Sequence, residues 1–163
     1  MGQASSSLFV GPSCRIEDSR ALIIEDEAIV AADIELTLHD RGYITVGPAR
    51  THNEALALGV EAKPRIIIAD IVLSDGTSGF KAVDEILKST DACVIFVTGD
   101  PDLAKVVEKA GPCLIVSKPF CPESLEAAIA EAEKCSHTHQ GMQATKWAVH
   151  KLAHDQPDAP FSY

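Results

Sequence analysis

Five short apolar runs divide the middle of the chain. Each run is continuous rather than alternating and is rich in β-branched residues, which is typical of strands buried on both faces of a parallel sheet. The predicted strands are Ala21–Ile24, Tyr43–Val46, Arg65–Ala69, Cys93–Val97 and Leu114–Val116.

The segments between and after these runs have helical spacing and recognisable ends. Thr51 and Glu54 have the spacing of a capping box, and Asp100 followed by Pro101 has the residue types that begin a helix. Strands that alternate with helices predict a doubly wound α/β domain, because right-handed crossovers cover both faces of a parallel sheet. The apolar stripes are Val30, Ile34 and Leu38 in the first helix, Phe80, Val83 and Leu87 in the third, Leu103, Val106, Val107 and Ala110 in the fourth, and Leu125 and Ile129 in the fifth.

Polar residues follow four of the predicted strands. The first strand leads into Glu25–Glu27, the third into Asp70, the fourth into Thr98 and Gly99, and the fifth into Lys118. The carboxyl ends of parallel strands share one edge of the sheet, where ligands of such folds bind. Carboxylates 4 Å apart repel by roughly 4 kcal/mol at an effective dielectric of 20, so the cluster requires a cation. Oxygen ligands without His or Cys favour Mg²⁺.

With Mg²⁺ bound, this edge has the groups needed to transfer a phosphoryl group to a side chain. Asp70 is the candidate nucleophile. Lys118 and the metal would neutralise the equatorial phosphoryl oxygens, Thr98 would hydrogen-bond one of them, and Gly99 would leave room beside them.

Four segments resemble the characteristic motifs of the receiver domain of two-component response regulators. The resemblance covers roughly residues 18–135 and implies a five-stranded parallel sheet in the flavodoxin-like order 2-1-3-4-5. Residues 1–17 are then a flexible extension and residues 136–163 a C-terminal tail. The motifs are Leu22–Glu27, Ile67–Asp70, Val97–Gly99 and Ser117–Phe120.

The resemblance also assigns roles to individual residues. Asp70 becomes the phospho-acceptor, Thr98 and Lys118 contact the phosphoryl group, and the Lys118–Pro119 peptide is cis. No enzymatic activity is expected apart from Mg²⁺-dependent self-phosphorylation and self-dephosphorylation on Asp70. The implied Mg²⁺ ligands are Glu25, Asp26, Asp70 and the backbone carbonyl of Val72.

The same resemblance implies a place in a phosphorelay. The donor would be a phosphohistidine on a sensor histidine kinase or a histidine phosphotransfer protein. Phosphorylation would then remodel the surface of the fourth helix, fifth strand and fifth helix, and switch the binding of a downstream protein or formation of a homodimer.

The chain departs from the receiver pattern at Ile115, and the residues at two further positions bear on phosphoryl lifetime. Ile115 stands where many receivers carry a Phe or Tyr that turns inward upon phosphorylation, so this chain lacks the side chain that the aromatic switch uses. Val72 and Asp100 occupy positions that modulate phosphoryl lifetime in the family. Because an apolar Val72 cannot hydrogen-bond an attacking water, we expect slow to moderate self-dephosphorylation.

Two alternatives remain beside a phosphorylated receiver. A haloacid-dehalogenase-type phosphatase also uses an Asp nucleophile and Mg²⁺, but it requires a second Asp where Val72 stands. A receiver-like scaffold that acts without phosphorylation is favoured only by Ile115. Retention of the carboxylate cluster argues against the scaffold, because carboxylates without a use would repel one another.

Composition narrows the class of protein further. The chain has 163 residues, with 24 acidic against 14 basic side chains and a formal net charge of −10, so direct nucleic acid binding is not expected. Five cysteines without C-x-x-C spacing indicate reduced thiols. No apolar run is long enough to span a membrane, and a cytoplasmic location is expected.

The C-terminal tail is predicted to contain one short amphipathic helix at residues 144–152, with Ala148 and Leu152 on one face and Trp147 as its anchor. Packing of this helix on the domain, or partial order, is favoured over a dedicated partner-binding segment. Four histidines near Cys135 suggest zinc, although an incidental polar cluster is preferred. They are His137, His139, His150 and His154.

Overall fold

A computed structural model describes residues 19–111, 113–136 and 139–155. Strands and helices alternate as predicted, and a sixth helix follows. The elements are β1 (Arg20–Ile24), α1 (Ala28–Asp40), β2 (Ile44–Ala49), α2 (His52–Ala62), β3 (Ile66–Asp70), α3 (Gly79–Leu87), β4 (Cys93–Thr98), α4 (Pro101–Ala110), β5 (Leu114–Ser117), α5 (Pro122–Ser136) and α6 (His139–Asp155). The predicted extension at residues 1–17 lies outside the described residues.

The five strands form one parallel sheet in the order β2-β1-β3-β4-β5, which confirms the predicted topology. Its register brings the strand ends level: Ile24 pairs with Ala69, and Asp70 pairs with Val97. The polar residues that follow β1, β3, β4 and β5 therefore share one edge.

The central strands β1, β3 and β4 are buried on both faces of the sheet, which explains why they read as continuous apolar runs. In β3, Ile67 and Ala69 face a core formed with α2, α3, α4 and α6. Ile66 and Ile68 face the opposite core, formed with α1 and α5.

Strand β2 continues past the predicted end of the strand, because its position in the sheet tolerates a proline. The predicted strand stops at Val46, but β2 continues through Gly47 and Pro48 to Ala49. β2 is an edge strand, so the missing backbone N–H of Pro48 leaves no partner strand unpaired.

The predicted helix starts of α2 and α4 are present. Thr51 Oγ1 accepts a hydrogen bond from the Glu54 backbone N–H at 3.3 Å, and the Glu54 carboxylate accepts from the Arg50 N–H at 2.8 Å. In α4, Asp100 Oδ1 accepts from the Asp102 N–H at 2.8 Å. The Glu54 bond reaches one residue earlier than a standard capping box, in which Glu54 would accept from Thr51.

Helix α6 packs back on the domain, but the prediction of its anchor was wrong. The helix is longer than the predicted residues 144–152, and Ala148, Val149 and Leu152 are buried against α3 and α4. Trp147 is 61% exposed, because the buried stripe of α6 runs along small and aliphatic side chains on its other side. Lys151 Nζ lies 5.4 Å from the Trp147 ring centroid.

None of the helices within the described ranges has both the length and the hydropathy required to cross a bilayer.

Candidate functional site

Three carboxylates meet beyond the ends of β1 and β3. Glu25 and Asp26 directly follow β1, and Asp70 ends β3. Each offers an oxygen within 4.8 Å of the others. Glu25 and Asp70 are buried, whereas Asp26 is partly exposed at a cavity of about 700 Å³. The cavity is lined by Asp26, Glu27, Asp70, Val72, Ser74, Thr98, Gly99, Asp100, Pro101 and Lys118.

Lys118 supplies the positive charge at this site. Its Nζ lies 2.7 Å from Asp70 Oδ2, 2.8 Å from Glu25 Oε2 and 3.1 Å from Glu27 Oε1. The ammonium therefore bridges β1, β3 and β5, and it is the single cation among the described residues that line the cavity. The four acidic side chains of Glu25, Asp26, Glu27 and Asp70, with Lys118, carry a formal charge of −3.

Backbone amides hold the buried carboxylates in place. The Val72 N–H donates to Asp70 Oδ1 at 3.1 Å, so one oxygen of Asp70 is bound by an amide and the other by Lys118. The Glu27 N–H donates to Glu25 Oε1 at 3.0 Å. The Asp70 carboxylate therefore has a fixed orientation toward the cavity.

The loop after β4 and the loop after β5 are connected through Thr98. The Lys118 N–H donates to the Thr98 carbonyl at 2.7 Å, and the Lys118–Pro119 peptide is cis, as predicted. The Asp100 N–H donates to Thr98 Oγ1 at 3.1 Å. Because that hydroxyl accepts from Asp100, its own proton is free to point at a group in the cavity.

The environment shifts two pKa values at this site. Burial raises the pKa of Glu25, and its hydrogen bond with Lys118 opposes this effect. Burial lowers the pKa of Lys118, but hydrogen bonds to Asp70 and Glu25 outweigh that effect, so the pKa lies above its ordinary value. Lys118 therefore carries its charge throughout the physiological range.

The donor set fits Mg²⁺. Glu25, Asp26 and Asp70 offer hard carboxylate oxygens at close range, and the excess negative charge around Lys118 favours a divalent cation. Val72 lines the same cavity, so its carbonyl remains the predicted backbone ligand.

All the side chains predicted for the site converge at this edge, and the structure adds Glu27. Glu27 belongs to the acidic run after β1 and had no predicted role, but its carboxylate pairs with Lys118 in the structure. Ile115, which replaces the expected aromatic residue, is partly buried beside Phe96 on the α4 side of the sheet.

A family model described as the response regulator receiver domain matches residues 21–130. The chain belongs to the response regulator receiver family. This membership confirms the resemblance to receiver domains. The haloacid-dehalogenase alternative has no support, since Val72 stands where that family needs an Asp.

Curated relatives include two-component regulators of different lengths. The receiver is 41% identical to the phyllosphere-induced regulator PhyR of Methylorubrum extorquens over 112 residues, which cover 68% of this chain and 42% of PhyR. It is 30% identical to the chemotaxis protein CheY of Thermotoga maritima over 118 residues, which cover 71% of this chain and 98% of CheY.

Solved structures of PhyR proteins have the same fold. The response regulator PhyR from Brucella abortus is 38% identical with a TM-score of 0.66, covering 86% of this chain and 55% of that protein. The anti-anti-sigma factor PhyR from Bartonella quintana is 38% identical with a TM-score of 0.63, covering 72% of this chain and 48% of that protein. The chain thus spans about half the length of the PhyR relatives that it matches.

Proposed function

We propose that this receiver accepts a phosphoryl group on Asp70 from a phosphohistidine of a sensor kinase or phosphotransfer protein. The observation that carries the proposal is the position of Asp70: its Oδ2 lies 2.7 Å from Lys118 Nζ, beside a cavity that Thr98 and Asp26 also line. A carboxylate held between a cation and a backbone amide at an open cavity is suited to nucleophilic attack.

The proposed transfer forms one bond and breaks one. A carboxylate oxygen of Asp70 attacks the phosphorus of the phosphohistidine, the N–P bond breaks, and the imidazole nitrogen keeps the electron pair and takes up a proton. The product is an acyl phosphate on Asp70.

The surrounding residues stabilise charge during this transfer. Mg²⁺, held by Glu25, Asp26, Asp70 and the carbonyl of Val72, would supply charge neutralisation at the phosphoryl oxygens. Lys118 would move its ion pair from the Asp70 carboxylate to a phosphoryl oxygen, and the Thr98 hydroxyl would donate to another.

The proposed output is a change in protein binding or dimerisation at the surface of α4, β5 and α5. Thr98 ends β4 and its hydroxyl accepts from Asp100, which caps α4, so a displacement of Thr98 toward the phosphoryl group would pull on the start of α4. The anti-anti-sigma factor among the relatives is named for action on another protein, which favours a protein partner in the cytoplasm over a nucleic acid.

Intact-mass spectrometry after incubation with acetyl phosphate and Mg²⁺ tests the proposal. We expect one added phosphoryl group in the wild type, none in Asp70→Asn, and an unchanged adduct in Asp40→Asn, which replaces an exposed carboxylate at the end of α1. The adduct should be stable in acid and labile in base. Size-exclusion chromatography of the same samples reports dimerisation.

A non-phosphorylated scaffold is the second candidate, and Ile115 is the observation that favours it. Beryllofluoride mimics an acyl phosphate and separates the two functions. Failure of both acetyl phosphate and beryllofluoride to modify the Mg²⁺-loaded protein would establish the scaffold and refute the phosphorylated receiver.

A further inference from the structure

A buried carboxylate on α3 faces two histidines of α6, outside the cavity that Asp70 and Lys118 line. Asp84 lies in α3 with its side chain only 9% exposed. His150 Nδ1 lies 3.1 Å from Asp84 Oδ1, and His154 Nε2 lies 3.4 Å from Asp84 Oδ2. The two imidazole rings are 4.4 Å apart between centroids.

These three side chains have the composition and spacing of a metal site. His150 and His154 are four residues apart, so they lie on one face of α6, and Asp84 supplies a carboxylate from the facing helix. Their ligand atoms lie within 4.8 Å of one another. Ligand atoms bonded to one Zn²⁺ at about 2.0–2.1 Å lie roughly 3.3 Å apart. Each histidine nitrogen is about that far from one Asp84 oxygen, His150 from Oδ1 and His154 from Oδ2, so an ion between them would be held by both carboxylate oxygens.

We propose that Asp84, His150 and His154 bind a divalent transition-metal ion of the zinc class, which fastens α6 to α3. Two imidazoles and one carboxylate suit Zn²⁺ rather than Mg²⁺, which prefers oxygen ligands alone. Water completes the coordination, since both histidines are about 60% exposed (62% and 60%) on the solvent side of the site. The site is separate from the Glu25–Asp26–Asp70 cluster and does not depend on phosphorylation.

The structure also shows which acidic side chain lies beside His150 and His154. The zinc ligands suggested by the sequence were Cys135 and four histidines, of which Cys135, His137 and His139 lie outside the residues whose side chains the structure describes. Within the described part of the chain, the carboxylate that faces His150 and His154 is Asp84, 66 and 70 residues earlier.

Zinc would strengthen a contact that the fold already makes. Ala148, Val149 and Leu152 of α6 are buried in the core, and Gly111 lies so near α6 that a Cβ there would be 3.3 Å from Ala148 Cβ. A metal bridge adds a link between elements far apart in sequence, and it stabilises the native state by an amount that grows with the logarithm of the free zinc concentration above the dissociation constant.

The test uses the full chain, freed of metals with a chelator and then saturated with Mg²⁺ to occupy the hard-oxygen cluster. Zn²⁺ is titrated by calorimetry, and Co²⁺ serves as a spectroscopic probe, because low-coordinate Co²⁺ with nitrogen ligands absorbs strongly in the visible. We expect one ion per chain and a rise in melting temperature with Zn²⁺.

Variants of each ligand decide the assignment. Asp84→Asn, His150→Gln and His154→Gln should each weaken Zn²⁺ affinity at least roughly tenfold and remove the Co²⁺ absorption. Both histidines are largely exposed, so their variants keep the fold even if Asp84→Asn does not. His39→Gln, on the last turn of α1, should bind Zn²⁺ as the wild type does.

Two results would overturn the proposal. One is the absence of Zn²⁺ binding or stabilisation in the wild type. The other is full binding by His150→Gln together with its loss in a His137→Gln/His139→Gln variant, which would place the ion on the upstream histidines.

Discussion

Gly79 lies against the backbone of Asp70, so closely that a Cβ at residue 79 would come within 1.9 Å of the Asp70 carbonyl oxygen. The Gly79 N–H also donates to the Ile71 carbonyl at 2.8 Å. The start of α3 is thereby pressed against the end of β3, which fixes the backbone that carries the proposed phospho-acceptor.

We predict that Gly79→Ala displaces this backbone and lowers the free energy of unfolding by about 2 kcal/mol, as overpacking does elsewhere. Labelling of Asp70 by acetyl phosphate should slow at the same time. Urea unfolding and time-resolved intact mass measure the two effects.

Gly99→Ala is the matched control for stability. A Cβ there would meet only Lys118 Cβ, at an ordinary contact distance of 3.9 Å. Its unfolding free energy should stay within about 1 kcal/mol of the wild type. Equal losses in both variants would show that close approach to Asp70 is not the cause.

Lys118→Met should destabilise the protein because it leaves the buried Glu25 and Asp70 carboxylates without their counter-charge. The expected loss is about 3 kcal/mol of unfolding free energy, since the Lys118 side chain is only 14% exposed. Mg²⁺ should raise the melting temperature of this variant more than that of the wild type, because it replaces the missing charge. Lys105→Met, which removes an exposed ion pair with Asp102, should show no measurable change.

Val72→Asn should shorten the lifetime of the acyl phosphate at least about tenfold. An amide side chain at the cavity wall can hold and orient the attacking water, which Val72 cannot do. The decay of the phosphorylated mass after removal of acetyl phosphate gives the rate. An unchanged lifetime would contradict this role for residue 72.

Leu152→Ala should cost about 3 kcal/mol of unfolding free energy, whereas Trp147→Ala should cost little. Leu152 is buried in the core beneath α6, and Trp147 is exposed. Urea unfolding followed by circular dichroism measures both variants. The wild-type fluorescence should have the red-shifted emission of a hydrated indole, because Trp147 is the only tryptophan. A larger loss of unfolding free energy in Trp147→Ala than in Leu152→Ala would show that Trp147 anchors α6 to the domain.

Cys113 should resist alkylation at pH 8, in contrast to Cys121. Burial raises the pKa of the Cys113 thiol to about 12, so only about one molecule in 10⁴ carries the reactive thiolate at pH 8. Cys121 is exposed and accessible to the reagent. Peptide mapping after iodoacetamide treatment gives the order of labelling, and Cys113 labelling should rise as the pH increases toward 12. Early labelling of Cys113 would show that α4 and β5 open readily.

The strands, the helices and the candidate phosphoryl site could be predicted from local sequence patterns, whereas the strand order 2-1-3-4-5 came from the resemblance to receiver domains. Continuous apolar runs identify parallel strands, and parallel strands bring their carboxyl ends to one edge whatever the helices do. Asp70, Thr98 and Lys118 therefore line one cavity, and Glu25 contacts Lys118 beside it, once the strand order is fixed. The predicted β2 ended too early because proline usually ends a strand. Pro48 is tolerated within β2 only because this strand lies at the edge of the sheet, which the local sequence does not show.

The tertiary structure alone decided which side chains of α6 turn inward and what they meet. The helical pattern of the tail allows either Trp147 or its neighbours to face the domain. The choice depends on the space that Gly111 leaves and on the aliphatic surfaces of α3 and α4. The same packing brings His150 and His154 to Asp84, a contact that no local pattern contains because the free energy of docking is set by distant surfaces.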